Sequence, residues 1–324
     1  MLLTNSFWGY LAGNANTSGF SNTANGAYSL NSNTTGQSNT ANGANSLSFN
    51  TIGYRNTANG FEALKFNTTG DHNTASGVYA LASNYTGSAN TANGGFAMYS
   101  NTNGLMNTGN GFYSLHFNST GNYNTANGSG AMQSNTVGNN NTANGYLALY
   151  SSTIGDYNTA IGDSAMYLST TGSNNTVLGH NAQTPSATGS NQVRIGNSSV
   201  TYAGIQVAWT ITSDKRWKSN IQNSNLGLNF ISQLRPVSYF RNNDDGKKLE
   251  YGFIAQEIEE ALNKEGVINN GIITKDDAGM YGVRYNDLMA PMVKAIQEQQ
   301  LMIENLKKQN VLMQKQIDQL KKRP

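Results

Sequence analysis

Ser213 and Lys218 are the residues whose types and spacing could do chemistry in this sequence. They lie in the segment ITSDKRWKSNI, residues 211–221, where the composition of the chain changes abruptly. A serine hydroxyl is a poor nucleophile until a base takes its proton, and a desolvated lysine amine can be that base. The segment also fits a purely structural interpretation, in which Ser213 and Asp214 cap a helix beginning at Lys215 and Lys218 is a solvated residue on it.

A second motif, YGFIAQE at residues 251–257, follows this segment, and the C-terminus carries heptad-spaced apolar residues. In this order the three features resemble the C-terminal intramolecular chaperone of phage endosialidases and tail fibres, a self-cleaving peptidase domain. The resemblance covers roughly residues 200–324. It implies a domain that trimerises a β-rich fibre and then cuts itself off with a Ser-Lys dyad, at the bond before the serine.

The resemblance implies a role for each residue of the first motif. The Ser213 hydroxyl would attack the Thr212 carbonyl, and Lys218 would act as general base and then as acid toward the leaving amine. This is a serine peptidase reaction of a single turnover, with no external substrate. Because the amine must be neutral, we expect burial in a trimer interface to lower the pKa of Lys218. Asp214 and Arg216 are expected to hold the loop in shape.

In the second motif, Gly252, Gln256 and Glu257 are the residues that the resemblance brings to the site as support. Gln256 and Glu257 also fit the polar side of a helix predicted from Ala255 to Leu262. Support of the site and packing of the helix remain alternatives for these two side chains.

The elements before the motif form a repeat of 17 residues. Glycine recurs in a first column from Gly9 to Gly196 and in a second from Gly19 to Gly189, with Asn-Thr and Leu or Met at fixed positions between them. Such a register predicts stacked coils, a parallel β-roll or solenoid. We expect brief Asn-Thr-Ala strands, glycine corners with positive φ, and a thin core of Leu, Met and Ala.

The pattern N-T-A-N-G-x-x-A-L also resembles the head repeats of trimeric autotransporter adhesins, which form a left-handed parallel β-roll of three chains. That family has an aliphatic residue before the glycine, whereas this chain has Asn or Ser there from Asn25 to Asn144 and an aliphatic residue only in the last coils, at Ile161 and Leu178. If these asparagines are buried, they need hydrogen-bonded ladders along the stack, because an unpaired buried amide costs roughly 1–3 kcal/mol. Handedness and the inward columns therefore stay open.

The Asn-Thr columns themselves have two interpretations. A flat threonine ladder could bind ice, and Asn and aromatic groups could bind a cell-surface glycan or another receptor. Alternatively, Asn and Thr close turns and cap edges in every coil, and the sequence favours this second interpretation. A glycosidase has little support, because residues 1–199 hold only four scattered acidic residues and no paired carboxylates.

Composition limits the partners. The net charge is +2 and only 12% of residues are charged, without the basic stripe that nucleic-acid binding requires. There is no cysteine, and the three histidines, His72, His116 and His180, fall in different columns, so we expect no metal and no cofactor.

No apolar run is long enough to span a membrane, and the N-terminus lacks the pattern of a secretory signal. We expect a virion tail fibre, or an extracellular or cell-surface protein.

After the repeat, the apolar alternation from Val200 to Ile211 predicts a strand or two. An amphipathic stretch at 226–231, a hairpin from Arg235 to Phe253 around a loop at 242–248, and the helix after it complete a small α+β domain. From Met292 the 4-3 spacing predicts a coiled coil. Ile at one heptad position with Leu at the other favours two strands in isolation, and a single amphipathic helix packed on its own domain is the alternative.

The predicted organisation is therefore a seventeen-residue β-repeat shaft or head at 1–199 and a junction strand at 200–212. A self-cleaving intramolecular chaperone follows at 213–290, and a coiled coil at 291–324. The predicted function is a homotrimeric fibre or adhesin-like protein cut between Thr212 and Ser213. The alternative is a structural or receptor-binding fibre whose C-terminal domain only trimerises and stays attached.

Overall fold

The computed structural model describes residues 4–321 of the chain, so the first and last three residues of the predicted domains lie outside the described residues. The chain divides into two compact units, Met1–Val200 and Thr201–Pro324. This boundary falls one residue from the predicted start of the junction. Each unit is described by itself.

The first unit is a parallel β-solenoid with one three-residue strand in each coil. Adjacent strands pair in parallel and in chain order, and each residue pairs with the residue 17 positions later, such as Thr23 with Thr40. The fold class predicted from the repeat is confirmed. The strands are Ser6–Trp8 (β1), Thr23–Asn25 (β2), Thr40–Asn42 (β3), Thr57–Asn59 (β4), Thr74–Ser76 (β5), Thr91–Asn93 (β6), Thr108–Asn110 (β7), Thr125–Asn127 (β8), Thr142–Asn144 (β9), Thr159–Ile161 (β10), Thr176–Leu178 (β11) and Val193–Ile195 (β12).

The core of the solenoid is thin and built from small columns. The central residue of β2 to β11 is buried, and it is alanine in most of them, as in Ala24 and Ala41. A column of Leu or Met, from Leu30 to Met166, is also fully buried. Because alternate residues of a strand point to opposite faces, the Thr and Asn that flank each alanine point outward. The predicted Leu, Met and Ala core is confirmed.

Asparagine is buried in a column that the sequence did not single out as inward. Asn22, four residues before Gly26, is buried, and so is its equivalent in each of the following nine coils. The Asn22 amide donates to the Gly36 carbonyl at 2.8 Å and its Oδ1 accepts from the Asn39 N–H at 3.0 Å. This column is therefore an internal ladder and not a ligand surface.

The asparagines directly before the first-column glycine face outward. Asn42 is exposed, and its side-chain amide donates to the Asn59 Oδ1 at 2.9 Å. An exposed column does not require an aliphatic residue, which accounts for the departure from the adhesin pattern. Of the aliphatic residues that do occur here, Ile161 is exposed and Leu178 is half-buried.

Glycine is required in the two columns for different physical reasons. Gly26 has φ +142°, and the first column adopts positive φ throughout, as predicted. Gly36 of the second column does not, so the prediction of positive φ is wrong there. A Cβ on Gly36 would lie 2.3 Å from Asn33 Oδ1 and 2.4 Å from the Gly53 carbonyl oxygen of the next coil. Glycine is needed at the second column because the coils approach each other closely.

The second unit is a small α+β domain. It contains a 3₁₀ turn at Lys215–Trp217, a second 3₁₀ turn at Tyr285–Leu288, and two antiparallel hairpins. One hairpin pairs Val237–Tyr239 with Glu250–Gly252, and the other pairs Ile273–Lys275 with Tyr281–Val283. The first hairpin and the helix after it agree with the sequence prediction, whereas the second hairpin was missed. The regular elements are Leu228–Ile231 (α1), Val237–Tyr239 (β13), Glu250–Gly252 (β14), Ala255–Lys264 (α2), Ile273–Lys275 (β15), Tyr281–Val283 (β16) and Met289–Lys321 (α3).

The junction strand predicted at 200–212 is absent. Residues 201–214 have no helix or strand and are almost entirely exposed. A strand needs a hydrogen-bonding neighbour, and no described segment of the chain pairs with this one. The alternation of the sequence was real, but alternation alone does not supply a partner.

The domain core gathers α1, α2 and the 3₁₀ turn at Tyr285–Leu288 that leads into α3. Phe230, Ile258 and Leu262 are buried together, and Leu288 joins them. The Glu298 carboxylate of α3 accepts the Leu228 N–H at 2.7 Å and so holds the first turn of α1. This contact fixes the N-terminal part of α3 on the domain.

The rest of α3 has nothing packed against it within the described chain. Ala295 is buried, but every residue from 301 to 321 is exposed. The helix predicted from the heptads is present and its heptad face is uncovered. It therefore is not a helix folded back on its own domain beyond its first turns.

Candidate active site

Ser213 and Lys218 are in direct contact. The Lys218 Nζ donates a hydrogen bond of 2.7 Å to the Ser213 Oγ, and both residues are exposed. A lysine amine at this distance from a serine hydroxyl is within reach of the proton it would have to accept. The structure thus brings together the two residues that the sequence analysis paired.

A short capped turn makes this contact. Asp214 is the N-cap of the 3₁₀ turn, and its carboxylate accepts the Arg216 N–H at 2.8 Å. The Arg216 guanidinium also donates to both carboxylate oxygens, at 3.0 and 2.8 Å. Hydrogen bonding from Arg216 lowers the pKa of Asp214, and the same pair raises the pKa of Arg216. The chain turns over Lys215–Trp217, and Lys218 at its C-cap reaches back to the serine.

The structure of this segment contains features of both interpretations, the helix cap and the serine-lysine contact. Asp214 does cap a helical turn, although the turn is only three residues long and ends before Lys218. Ser213 does not cap it, because the only hydrogen bond of its side chain in the described structure comes from Lys218. The cap orients the segment so that the lysine meets the hydroxyl.

The burial expected around Lys218 is not supplied by its own chain. Thr212, Ser213 and Lys218 are all exposed, and the strongly apolar Trp217 beside them is 82% exposed. Desolvation of the charged form makes a lysine lose its proton more readily. The described residues do not supply that desolvation here. Among the described residues, no group of His, Cys, Asp and Glu could hold a metal ion.

Gly252 has a clear steric role in the second motif. A Cβ there would lie 2.4 Å from the Tyr285 hydroxyl and 3.4 Å from the Tyr239 ring. The Tyr285 hydroxyl accepts the Phe253 N–H at 3.2 Å. Glycine at 252 therefore lets a tyrosine from far along the chain hold the end of β14.

Glu257 and Gln256 lie side by side on α2 but differ in surroundings. Glu257 forms an ion pair with Arg235, and hydrogen bonding from Arg235 lowers the pKa of Glu257. This pair joins α2 to the residues before β13. Gln256 is exposed. In the described residues, no hydrogen bond or ion pair links the serine-lysine segment to either of them.

Sequence reasoning missed Arg235, Tyr285 and Glu298, which hold this domain together. Arg235 stands before a proline and gives no local sign of its partner, and Tyr285 meets the second motif from 32 residues away. No spacing rule covers contacts of this kind. They become visible only in three dimensions.

Residues 213–267 match the family model described as the chaperone of endosialidase. The match begins at Ser213 and contains Lys218 and the YGFIAQE motif, which confirms the resemblance of the C-terminal unit to this chaperone. No curated protein and no solved structure matches the chain. No helix among residues 4–321 is long and apolar enough to cross a membrane. A segment that matches the chaperone of endosialidase, following a fibre-like solenoid, supports a chaperone role in trimerisation.

Proposed function

We propose that this chain is a subunit of a homotrimeric fibre or adhesin-like protein whose C-terminal domain drives trimerisation and then cuts the Thr212–Ser213 bond. The observation that carries the proposal is the 2.7 Å hydrogen bond from Lys218 Nζ to Ser213 Oγ. It lies at the first residue of the segment that matches the chaperone family.

The reaction is an acyl transfer within the chain followed by hydrolysis. Lys218 takes the hydroxyl proton while Ser213 Oγ attacks the Thr212 carbonyl carbon, and the C–N bond between the two residues breaks. The same proton passes from Lys218 to the leaving Ser213 amine. An ester then joins Thr212 to the Ser213 oxygen. Water hydrolyses this ester to the Thr212 carboxylate and the Ser213 hydroxyl, which belongs to the released C-terminal fragment.

Exposure of the dyad supports coupling of the cut to assembly. A solvated ammonium group is a poor base, and covering by other copies would favour the neutral amine. An unassembled chain would therefore stay intact. The uncovered heptad face of α3 offers the copies a place to associate.

The second candidate function is a fibre that trimerises and keeps its chaperone attached. The surroundings of Thr212 favour it, since among residues 4–321 no hydrogen-bond donor reaches its carbonyl oxygen, as an oxyanion donor would. In both cases a virion or a cell surface is the proposed location. The outward Thr and Asn columns are then the surface that would meet a glycan or another receptor, which a glycan array can test.

Intact-mass measurement of the purified full-length protein tests cleavage. We expect two species, one ending at Thr212 and one beginning at Ser213. Ser213→Ala removes the nucleophile and Lys218→Ala removes the base, so each variant should accumulate as an uncut trimer in light scattering.

Matched controls change neighbours of the dyad. Ser219→Ala and Lys215→Ala should be cut like the parent, because neither side chain forms the Ser213–Lys218 contact. Cutting of Ser213→Ala before residue 213, or a wild-type trimer that stays intact, would leave the non-cleaving fibre as the function.

A further inference from the structure

Residues 201–212 form an apolar segment that no part of the described chain covers. Four alternate residues present large apolar side chains, and their exposed fractions are high: Ile205 54%, Val207 79%, Trp209 75% and Ile211 64%. Single exposed apolar residues are normal, but a run of this length is not. In an extended strand these four side chains would lie on one face.

The backbone of this segment is also unpaired. No backbone hydrogen bond is made by residues 201–212 within residues 4–321 of the chain. The residues favour β structure, since Ile, Val, Thr, Tyr and Trp predominate and proline is absent. The segment has the side-chain pattern and the free N–H and C=O groups of a strand that lacks its neighbours.

The charge of the segment indicates which neighbour it fits. None of its twelve residues is charged. Strands that stay solitary at an edge usually carry charges or proline that oppose pairing with copies of themselves. A segment without either pairs with its own copy free of like-charge repulsion.

We propose that residues 205–211 form an inter-chain β-strand with the same segment of the other copies of this chain. The four apolar side chains pack together there, while Gln206, Ala208 and Thr210 point away. This inference rests on the proposed trimeric function. It adds which residues, apart from the heptads of α3, hold the copies together.

The proposed strand lies directly before the Thr212–Ser213 bond, and this position gives it a role that the coiled coil does not have. The proposed cut between Thr212 and Ser213 leaves residues 205–211 on the shaft and removes the coiled coil. The strand therefore keeps the shafts associated after the chaperone has left. It also fixes the backbone on the N-terminal side of the scissile bond when the copies assemble.

The chain has no cysteine, so a single introduced thiol reports this contact without background. Val207→Cys is expected to form disulfide-linked dimers in the full-length protein under mild oxidation. Ala208→Cys, one residue away on the opposite face, is the matched control. A maleimide should label the thiol at 207 about tenfold more slowly than at 208, because buried thiols are inert.

Light scattering on the same two variants distinguishes the inter-chain strand from the trimeric function on which it rests. A trimer in which both thiols label equally fast and neither cross-links would overturn the strand and leave trimerisation standing. A monomer would overturn both. A trimer with cross-linking at 207 and fast labelling at 208 supports the strand, and the cut shaft should then remain a trimer.

Discussion

At the scale of single residues, asparagine side chains connect the coils of the solenoid. Besides the column that begins at Asn22, a second column is buried from Asn33 to Asn135. The Asn50 amide donates to the Asn33 Oδ1 at 2.8 Å and to the Gly53 carbonyl at 3.0 Å. Each amide in this column is satisfied by the coil before it and by its own turn, so polar side chains can fill the interior.

This second ladder ends where the sequence changes to serine. Ser152 takes the position that the next asparagine would occupy, and it is too short to reach back. Asn135 Oδ1 and Ser152 Oγ are the buried side-chain atoms without a hydrogen-bond partner in the described residues. An unsatisfied buried acceptor costs roughly 1–3 kcal/mol.

We predict that Ser152→Asn stabilises the shaft. The new amide should donate to Asn135 Oδ1, as its equivalents do in the preceding coils, and raise the free energy of unfolding by about 1 kcal/mol. Chemical denaturation of the full-length protein measures this. Ser151→Asn, on the neighbouring half-buried position, is the control and should change little. Destabilisation by Ser152→Asn would mean that this coil has no room for the ladder.

His116 gives the shaft a dependence on pH. Its ring is buried beside Tyr99 and Tyr113, and its Nδ1 lies 3.0 Å from the Phe96 carbonyl oxygen. Burial lowers the pKa of His116 below its ordinary value of 6.5, so folding favours the neutral ring. The contribution to stability is complete above the unfolded pKa and is lost as the pH falls below it.

We therefore expect the unfolding temperature of the shaft to drop as the pH falls below the ordinary histidine pKa of 6.5. His116→Gln places in this coil the residue that the next coil has at Gln133, and it should flatten that part of the profile. His180→Asn, which copies Asn197 at an exposed position, should leave the profile unchanged. An equal acid-side drop in His116→Gln would rule out this histidine as its source.

At the scale of elements, α3 exposes a stripe of apolar side chains that the described chain does not cover. Ile303, Leu306 and Ile317 share the heptad face and are each at least 44% exposed. The face is continuous over four heptads, and a lone helix with such a stripe leaves much apolar area in water. The helix and the junction segment are both elements that lack partners in one chain.

We predict that Ile303→Asp weakens both the trimer and the cut. A carboxylate at the centre of the heptad face disfavours association, and the proposed site completes itself only on assembly. Light scattering and intact mass should show fewer trimers and less product. Asn305→Asp adds the same charge on the outer side of the helix and is expected to behave like the parent. A fully cut Ile303→Asp monomer would contradict coupling of cleavage to assembly.

At the scale of the whole molecule, the solenoid is a stack of coils whose alignment depends on a constant period of 17 residues. Strand partners are 17 residues apart from β1 to β12, so every column continues from coil to coil. Removing one whole period joins equivalent positions, whereas a shift of one residue moves each side chain to the opposite face.

Deletion of residues 74–90 should therefore give a shorter shaft that still folds. Deletion of residues 74–89 leaves one residue too many, breaks the Asn22 column and should unfold the coils around the join. Circular dichroism and thermal unfolding distinguish the two proteins. Equal stability would show that the coils do not depend on a common register.

Much of this protein could be predicted from its sequence. A fixed spacing of 17 residues leaves few structures other than stacked coils, because each column must meet its equivalent. The hairpin around 242–248, α2 and the long helix follow from local alternation and periodicity. The serine-lysine segment, the YGFIAQE motif and the C-terminal heptads together indicated the resemblance to the chaperone, whose family model matches residues 213–267.

Only the tertiary structure decided which polar residues face inward. Asn22 and Asn25 are three positions apart in one coil, and the path of the backbone buries the first and exposes the second. The same path places leucines such as Leu30 at positive φ, which no propensity predicts.

Contacts between distant segments also required the fold. The hydrogen bond from Phe253 to Tyr285 joins residues with no common pattern, and the hairpin of β15 and β16 was not recognised at all. The junction shows the opposite case, since its alternation predicts a strand that one chain does not form. A strand needs a hydrogen-bonded neighbour, and the alternation of a segment does not show which segment that neighbour is.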